Sequence, residues 1–582
     1  MFMKMTGLLR KITIKNLKKS AVYLRKYGYK GTFAHLTKQY QNNDKEYEEW
    51  FEDHRLRESE INMQTKHHFV YEPLISILVP VYNTPILFLK EMVESVCRQT
   101  YSRWELCIVN ASPNNLEVLN FLSVCAEKEN RIRVENIKEN LGIAENTNVA
   151  LYMANGDYIG LLDHDDILSQ DALYNVVKGI NEANMPEIIY TDEDKISKDK
   201  DKHFQPCFKP DFNLDFLRSN NYICHFFVVK RKLLLEIEGF RKEYDGAQDY
   251  DLILRCVEKA DNILHIPKIL YHWRMHEVST SDNPESKMYA YEAGKRAIQE
   301  HLVRCKENGK VEFTNDLGFY RVKYKVKGNP LITVIILCDQ SSKEVRTCIR
   351  SIYRSTYSNF EFILIGRNIM REKIPDSIRS VNLKEKDTIT TYINSVVKQA
   401  RGEYLFLISG NVKLIDNRCL VELLANCQRK EVGIVGGKVY NAGGKIQNAG
   451  IIVRGDHFVE NVFEGMSNFC VGYMHRDSLQ QNLSVVSADC MMIKYKAFET
   501  VDGFDEKAGD GFFAVDFCLK VIESGFRVVY NPNAKSGYIK KCNKKDEYSQ
   551  REFEYMSKKW KKIFEKGDPA YNHNLRSKYL LK

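Results

Sequence analysis

The chain has no CxxC spacing, no low-complexity tract, and no apolar run of the roughly 18 to 20 residues that a bilayer span needs. These absences argue against a zinc ribbon and against a bilayer-spanning helix. The fifteen cysteines are scattered and odd in number, which argues against a secreted disulfide framework and for a reducing compartment. No signal-peptide h-region opens the chain, so a cytoplasmic location is expected. What is present is ordinary globular composition, 44% hydrophobic and 28% charged. A length of 582 residues exceeds what one hydrophobic core organises, so two domains are the starting expectation.

The net charge of +9 is modest, but it is unevenly placed. Lys4, Arg10, Lys11, Lys15, Lys18, Lys19, Arg25, Lys26, Lys30 and Lys38 all precede the first acid, Asp44, and Ile14, Leu17, Ala21 and Leu24 share one helical face among them. This reads either as an amphipathic helix on an anionic leaflet or as a basic arm packed on its own domain. Peripheral contact of residues 1–43 with the inner face of the plasma membrane is therefore an expectation. A nucleic-acid partner is not, because no aromatic-interleaved basic platform follows.

Comparing the chain with itself reveals a repeat. The stretch from Pro73, PLISILVPVYNTP, recurs from Pro330 as PLITVIILCDQSS; GDYIGLLDHDD from Gly156 returns as GEYLFLISGNV from Gly402; and EGFRKEYDGAQDYDLILR from Glu238 returns as DGFDEKAGDGFFAVDFCLK from Asp502. Each copy alternates β-rich apolar runs (Ile75 to Val79, Leu106 to Val109, Tyr158 to Leu162) with helical patterns such as Leu87 to Gln99. The fold class is α/β, two tandem Rossmann-like domains with mostly parallel sheets. The expected division is a basic helical arm over 1–70, a first domain over 71–306, a linker over 307–329 and a second domain over 330–582.

Ligands in such sheets bind beyond the carboxyl ends of strands, so the residues there matter most. The Tyr158 run delivers Asp163, His164, Asp165 and Asp166, and the Ile188 to Tyr190 run delivers Asp192, Glu193 and Asp194. Carboxylates so crowded repel one another, and a hard divalent ion, Mg or Mn, held by Asp163 and Asp165 would offset that repulsion and bridge to a diphosphate. Asp166 or Ser169 is expected to cap the helix beginning near Gln170.

These motifs resemble family 2 glycosyltransferases of the GT-A type, particularly the tandem-domain bacterial enzymes of surface-polysaccharide synthesis. The resemblance rests on VPVYNTP at Val79, NLGIAENTN at Asn140, LLDHDD at Leu161, YTDEDK at Tyr190, GAQDYDLILR at Gly246 and YHWRMHEVSTS at Tyr271, and it covers nearly everything after residue 70. It implies a nucleotide-sugar donor bound by Pro80, Tyr82, Asn83, Asn110, Asn140, Asp163, Asp192 and Asp194. By the resemblance, Asp163 and Asp165 match the DxD metal motif, His276 matches the position that completes the metal site or contacts the diphosphate, and Asp249 matches the general base of an inverting transfer. The acceptor implied is a glycan or lipid-linked glycan. Asn110 departs from the aspartate many relatives carry there, which leaves the donor open, and Asp251 stands as the alternative base. Segment Ser219 to Phe227 is expected near donor or acceptor, with His225 read as a buried structural histidine.

The second copy carries Ser409, Gly410, Asn411 and Val412 where the first has its acidic cluster, and Ala514 opposite Asp249. It is expected to fold without transferring sugar, and to bind glycan or shape the acceptor site. The rival enzymatic reading, a nucleotidylyltransferase, lacks its Gly-rich phosphate loop after the first strand. A carbohydrate-binding scaffold suits the second copy but not the acidic cluster and Asp249 of the first.

Overall fold

A computed structural model describes residues 43–275, 288–339, 342–367, 369, 378–384, 387–454, 458–467, 471–541 and 548–575. The basic segment 1–42 and His276 lie outside the described residues. Two compact units divide the described chain, one comprising 44–325 with 566–575 and the other built on 326–565.

The first unit is built on a nine-stranded sheet of β1 (Ile75–Val81), β2 (Trp104–Asn110), β3 (Ile132–Asn136), β4 (Tyr158–Leu161), β5 (Ile167–Leu168), β6 (Ile188–Ile196), β7 (His203–Cys207), β8 (Phe227–Lys230) and β9 (Ile263–Arg274). Their order is β3-β2-β1-β4-β8-β6-β9-β5, with β7 on β6. The half from β3 to β4 is parallel, as the alternating apolar runs and helices require. The other half is mixed, because β8 runs antiparallel to both β4 and β6. Val79, Leu106, Ile108, Leu89, Val96 and Phe226 are among the fully buried side chains between sheet and helices.

The second sheet repeats this order strand for strand: 379–382, 360–367, 332–339, 404–409, 490–494, 432–440, 527–538 and 412–414. The tandem α/β expectation is therefore met, and the polar framework recurs as well. Ser76 donates to Glu105 at 2.6 Å, as Thr333 does to Glu361 at 2.7 Å. Asn148 exchanges two hydrogen bonds with the backbone of Phe240, as Asn394 does with Phe504. The glycine before each phenylalanine has φ near +65°, and a Cβ there would meet the asparagine oxygen at 2.5 Å at Gly239 and 2.6 Å at Gly503. Only glycine fits both conditions, which explains the EGF and DGF of the two copies.

Several boundaries differ from the sequence reading. The described part of the supposed basic arm holds two helices, Asn43–Asp53, rich in Asp and Glu, and Glu58–Lys66, and Tyr47 of the first is buried in the first unit. Within the expected linker, Gly309–Phe313 and Tyr320–Tyr324 pair as a hairpin of the first unit. The helix expected near Gln170 is Ala172–Glu182, with Asp171 rather than Asp166 or Ser169 at its N-cap position. The β6 strand does not stop at Tyr190 but continues through Asp192, Glu193 and Asp194, paired with β9, so those acids lie inside the sheet.

Residues 566–575, read as part of the second domain, belong to the first unit. The Asn572 amide donates to the buried Asp192 carboxylate at 2.7 Å and to the Lys209 carbonyl at 2.9 Å. Asn572→Ala strands both acceptors in the interior and is expected to lower stability by about 1–3 kcal/mol, read as a lower thermal midpoint. An unchanged midpoint would show that this segment does not support the first unit.

Candidate active site

Strand β1 pairs with β4 only as far as Leu78 opposite Leu161, while on its other side it stays paired with β2 to Val81. Pro80 lacks the N–H that would extend the β4 ladder, so the sheet opens where the chain order reverses. Beyond that opening, Tyr82 is half exposed, and Asn83 takes a left-handed backbone, φ +50°, with its N–H on the Ser112 hydroxyl at 2.8 Å. Asn110, fully buried, donates to Asn136 at 2.9 Å and accepts the Ser112 N–H at 3.0 Å. Asn140 is exposed and accepts from the Gly142 N–H at 3.0 Å and the Asn146 amide at 2.8 Å.

The acidic loop follows β4 and is held from β9. Arg274, fully buried, donates from its side chain to the Asp165 carbonyl at 2.8 Å and from its backbone to Asp166 at 2.7 Å, and its guanidinium pairs with Glu91 at 2.7 Å. The Tyr271 hydroxyl donates to Asp166 at 2.6 Å. Burial, together with the charges of Asp165 and Asp163, raises the Asp166 pKa well above the ordinary carboxylate value. Asp166 is thus an internal tie, whereas the Asp163 side chain is 47% exposed. Burial opposes ionisation of Asp163 as well, but the adjacent His225 outweighs it and holds the pKa below the usual value.

His225, read as a buried histidine, lies between Asp163 and Glu193. Its Nε2 lies 3.6 Å from Asp163 and its Nδ1 3.6 Å from Glu193, and its ring stacks on Tyr271 at 4.6 Å between centroids. Burial disfavours the imidazolium, yet Cys224, Asp163 and Glu193 raise its pKa well above that of a free histidine. The same loop carries Asn221, which donates to Asp249 at 2.8 Å, and Cys224, whose sulfur is 3.9 Å from Asp249. The loop therefore joins the carboxylate after β4 to the one at the start of helix Gln248–Val257. Burial raises the Asp249 pKa above the ordinary carboxylate value, against the opposing charge of His225.

Lys209 fixes that loop. Its ammonium, with no exposed surface, donates to Glu193 at 2.9 Å, to the Ile223 carbonyl at 2.7 Å and to the His225 carbonyl. Glu193 also accepts the His225 N–H at 3.2 Å. Burial would raise the Glu193 pKa, but Lys209 and His225 prevail and bring it down to about 2.

Asp192 and Asp194, expected to bind donor, point elsewhere. Asp192 accepts from the Lys209 N–H at 2.8 Å and from Asn572, and lies 2.9 Å from His265. Asp194 accepts from the Tyr47 hydroxyl at 2.7 Å and pairs with His203 at 2.8 Å and His272 at 2.6 Å. Both are buried with their oxygens engaged by protein, because strand alternation sends Glu193 to the site and its two neighbours away from it. Asp194, His203 and His272 have ligand atoms close enough for a metal, but they already satisfy one another beneath Phe51. Asp251, the alternative base, is fully buried and paired with Arg241 and with Arg255 at 2.9 Å, and so serves the loop packing. Histidine, lysine and cysteine singly carry little sequence signal, so His225, Lys209, Asn221 and Cys224 were not legible as a cluster; Glu193 was legible only as one of three acids.

Lys209→Met leaves Glu193 buried without its cation and is expected to lower stability by about 3–5 kcal/mol in urea unfolding, with Lys209→Met/Glu193→Gln recovering part of the loss. A single variant as stable as the parent would remove Lys209 from this role.

Residues 76–237 match the family model for Glycosyl transferase family 2. The chain is 37% identical over 529 residues to the uncharacterized protein y4gI of Sinorhizobium fredii, covering 86% of this chain and 58% of that one. It is 31% identical over 520 residues to the O-antigen biosynthesis protein RfbC of Myxococcus xanthus, covering 86% of this chain and 40% of that one. The chain thus spans about half the length of the curated relatives it matches. Among solved structures, S. aureus TarS residues 1–349 in complex with UDP-GlcNAc aligns at TM-score 0.33 and 20% identity, over 40% of this chain and 66% of that one.

Proposed function

Through its first domain the chain belongs to glycosyl transferase family 2, and on that premise we propose that it is an inverting, metal-assisted sugar transferase of polysaccharide synthesis using a nucleotide-sugar donor. The observation that carries this reading is the pairing of two unlike carboxylates through one loop: Asp163, half exposed and held ionised, and Asp249, burial-raised and hydrogen-bonded to Asn221.

Asp163 and Asp165 would hold a divalent ion, Mg or Mn, and their oxygen donors on a solvent-reached loop suit a hard cation. His276 is proposed as a further ligand from its sequence position alone. When bound, the ion neutralises charge on the donor diphosphate. Pro80, Tyr82, Asn83, Asn110 and Asn140 border the nucleotide side of the opening. Asp192 and Asp194 act there only through the sheet that carries Glu193.

Asp249 accepts the proton of an acceptor hydroxyl as the hydroxyl oxygen bonds to the anomeric carbon and the bond to the diphosphate breaks. A carboxylate whose pKa burial has raised is a stronger base than an exposed one. His225 and Lys209 keep the Asn221 to His225 loop in register between the two carboxylates. The acceptor is a glycan or lipid-linked glycan, approached from the cytoplasmic face of the membrane with the basic segment 1–43 toward the lipid. The O-antigen biosynthesis relative supports this polysaccharide context.

Asp249→Asn is expected to keep metal-dependent donor binding and lose transfer by about 100- to 10,000-fold. Asp163→Ala is expected to lose donor binding itself, read by calorimetry with Mn. Full transfer by a folded Asp249→Asn protein would contradict the assignment.

A further inference from the structure

The second domain holds a cavity of about 490 Å³ at the carboxyl ends of its strands 332–339, 360–367 and 404–409. Strand pairing relates its lining to the first domain residue by residue. Tyr158 opposite Lys230 matches Tyr404 opposite Lys494, so Asp163 and Asp165 correspond to Ser409 and Asn411, and His225 to Asp489. Leu168 opposite Tyr271 matches Leu414 opposite Ser536, so by sequence count Met275 and His276 correspond to Lys540 and Lys541.

The exchange is chemically directed. The two carboxylates that would hold a divalent ion are gone, and two ammonium groups have arrived on the same rim. Asn411 does not merely replace an acid: its amide donates to the Lys540 carbonyl at 3.2 Å and its oxygen accepts the Lys540 N–H at 3.3 Å, tying the lysine pair to the loop after strand 404–409. The acids lining the cavity are engaged by protein. Glu344 pairs with Lys540 at 3.5 Å, Asp489 accepts from the Tyr538 hydroxyl at 2.8 Å and the Ser487 hydroxyl at 2.9 Å, and Asp510 accepts the Ile389 N–H at 2.9 Å. Lys541 is exposed at the mouth, and Arg367 lines the neighbouring strand end.

We propose that this cavity is a metal-independent site for a nucleoside diphosphate, free or as part of a nucleotide sugar, with fixed lysine charge standing where the first domain would use a cation. It rests on reading the corresponding first-domain position as the donor site. The volume lies within the ~300–1,000 Å³ of small-ligand pockets, and ammonium groups bind phosphate oxygens as point charges. With Ala514 in the place of Asp249, the bound nucleotide is held and not turned over.

Calorimetric titration of the full chain with UDP and GDP, each in EDTA and in Mn, tests this. One EDTA-resistant site is expected for at least one nucleotide, with a second appearing in Mn. Lys540→Ala/Lys541→Ala should weaken the EDTA-resistant site about 10-fold or more, Lys540→Arg/Lys541→Arg should restore it, and Asp163→Ala should remove only the Mn-dependent site. No EDTA-resistant binding, or EDTA-resistant binding indifferent to the alanine pair, overturns the proposal. Absence of a Mn-dependent site from the parent chain, with the EDTA-resistant site present, would instead count against the first-domain reading.

Discussion

A fully buried ammonium is tolerable only if its three protons find acceptors and its charge finds a partner. Lys209 meets both conditions by spanning from Glu193 in the middle of the sheet to the carbonyls of Ile223 and His225. The arrangement of the site depends on that span. With the loop fixed, Asn221 reaches Asp249 and His225 faces Asp163, so residues distant in sequence form one neighbourhood. The backbone of Lys209 is itself held by Asp192 and by Asn572, which ties the far end of the chain to the same point.

The two domains separate framework from chemistry. What recurs is whatever the shared sheet needs: the hydroxyl on the glutamate between the first two strands, the asparagine clamping a phenylalanine backbone, and the glycine that no side chain can replace. What does not recur are Asp163, Asp165 and Asp249, whose places are taken by Ser409, Asn411 and Ala514. Asp251 and Asp516 are instructive because both persist. Asp251 is buried against Arg241 and Arg255, and Asp516 against Lys559 and the Trp560 indole, so each is kept by packing rather than by reaction.

The sequence was most informative where local rules act alone. Apolar runs and helical periodicity placed β1, β2 and β4 within a residue or two at their starts or ends, and the internal repeat disclosed two sheets of one topology. The acids after β4 stood out in the sequence by their crowding, although Asp166 among them is an internal tie to Tyr271 and Arg274. Asp192 and Asp194 were misjudged because the apolar run ends at Tyr190, whereas the strand continues through the acids, which are held by the distant buried partners His265, His203, His272 and Tyr47. His225 and Lys209 draw their significance from long-range neighbours, and Asn572 reaches Asp192 across 380 residues, a contact that no local pattern encodes.

We infer that the first domain transfers sugar from a nucleotide donor with the help of a divalent ion. The most direct measurement is release of nucleoside diphosphate by the purified full chain across UDP-, GDP- and dTDP-sugars, in Mn or Mg and in EDTA. The account predicts metal-dependent release from one donor, suppressed by EDTA. Silence across the panel, with nucleotide binding also absent, would contradict it and leave a carbohydrate-binding scaffold in its place.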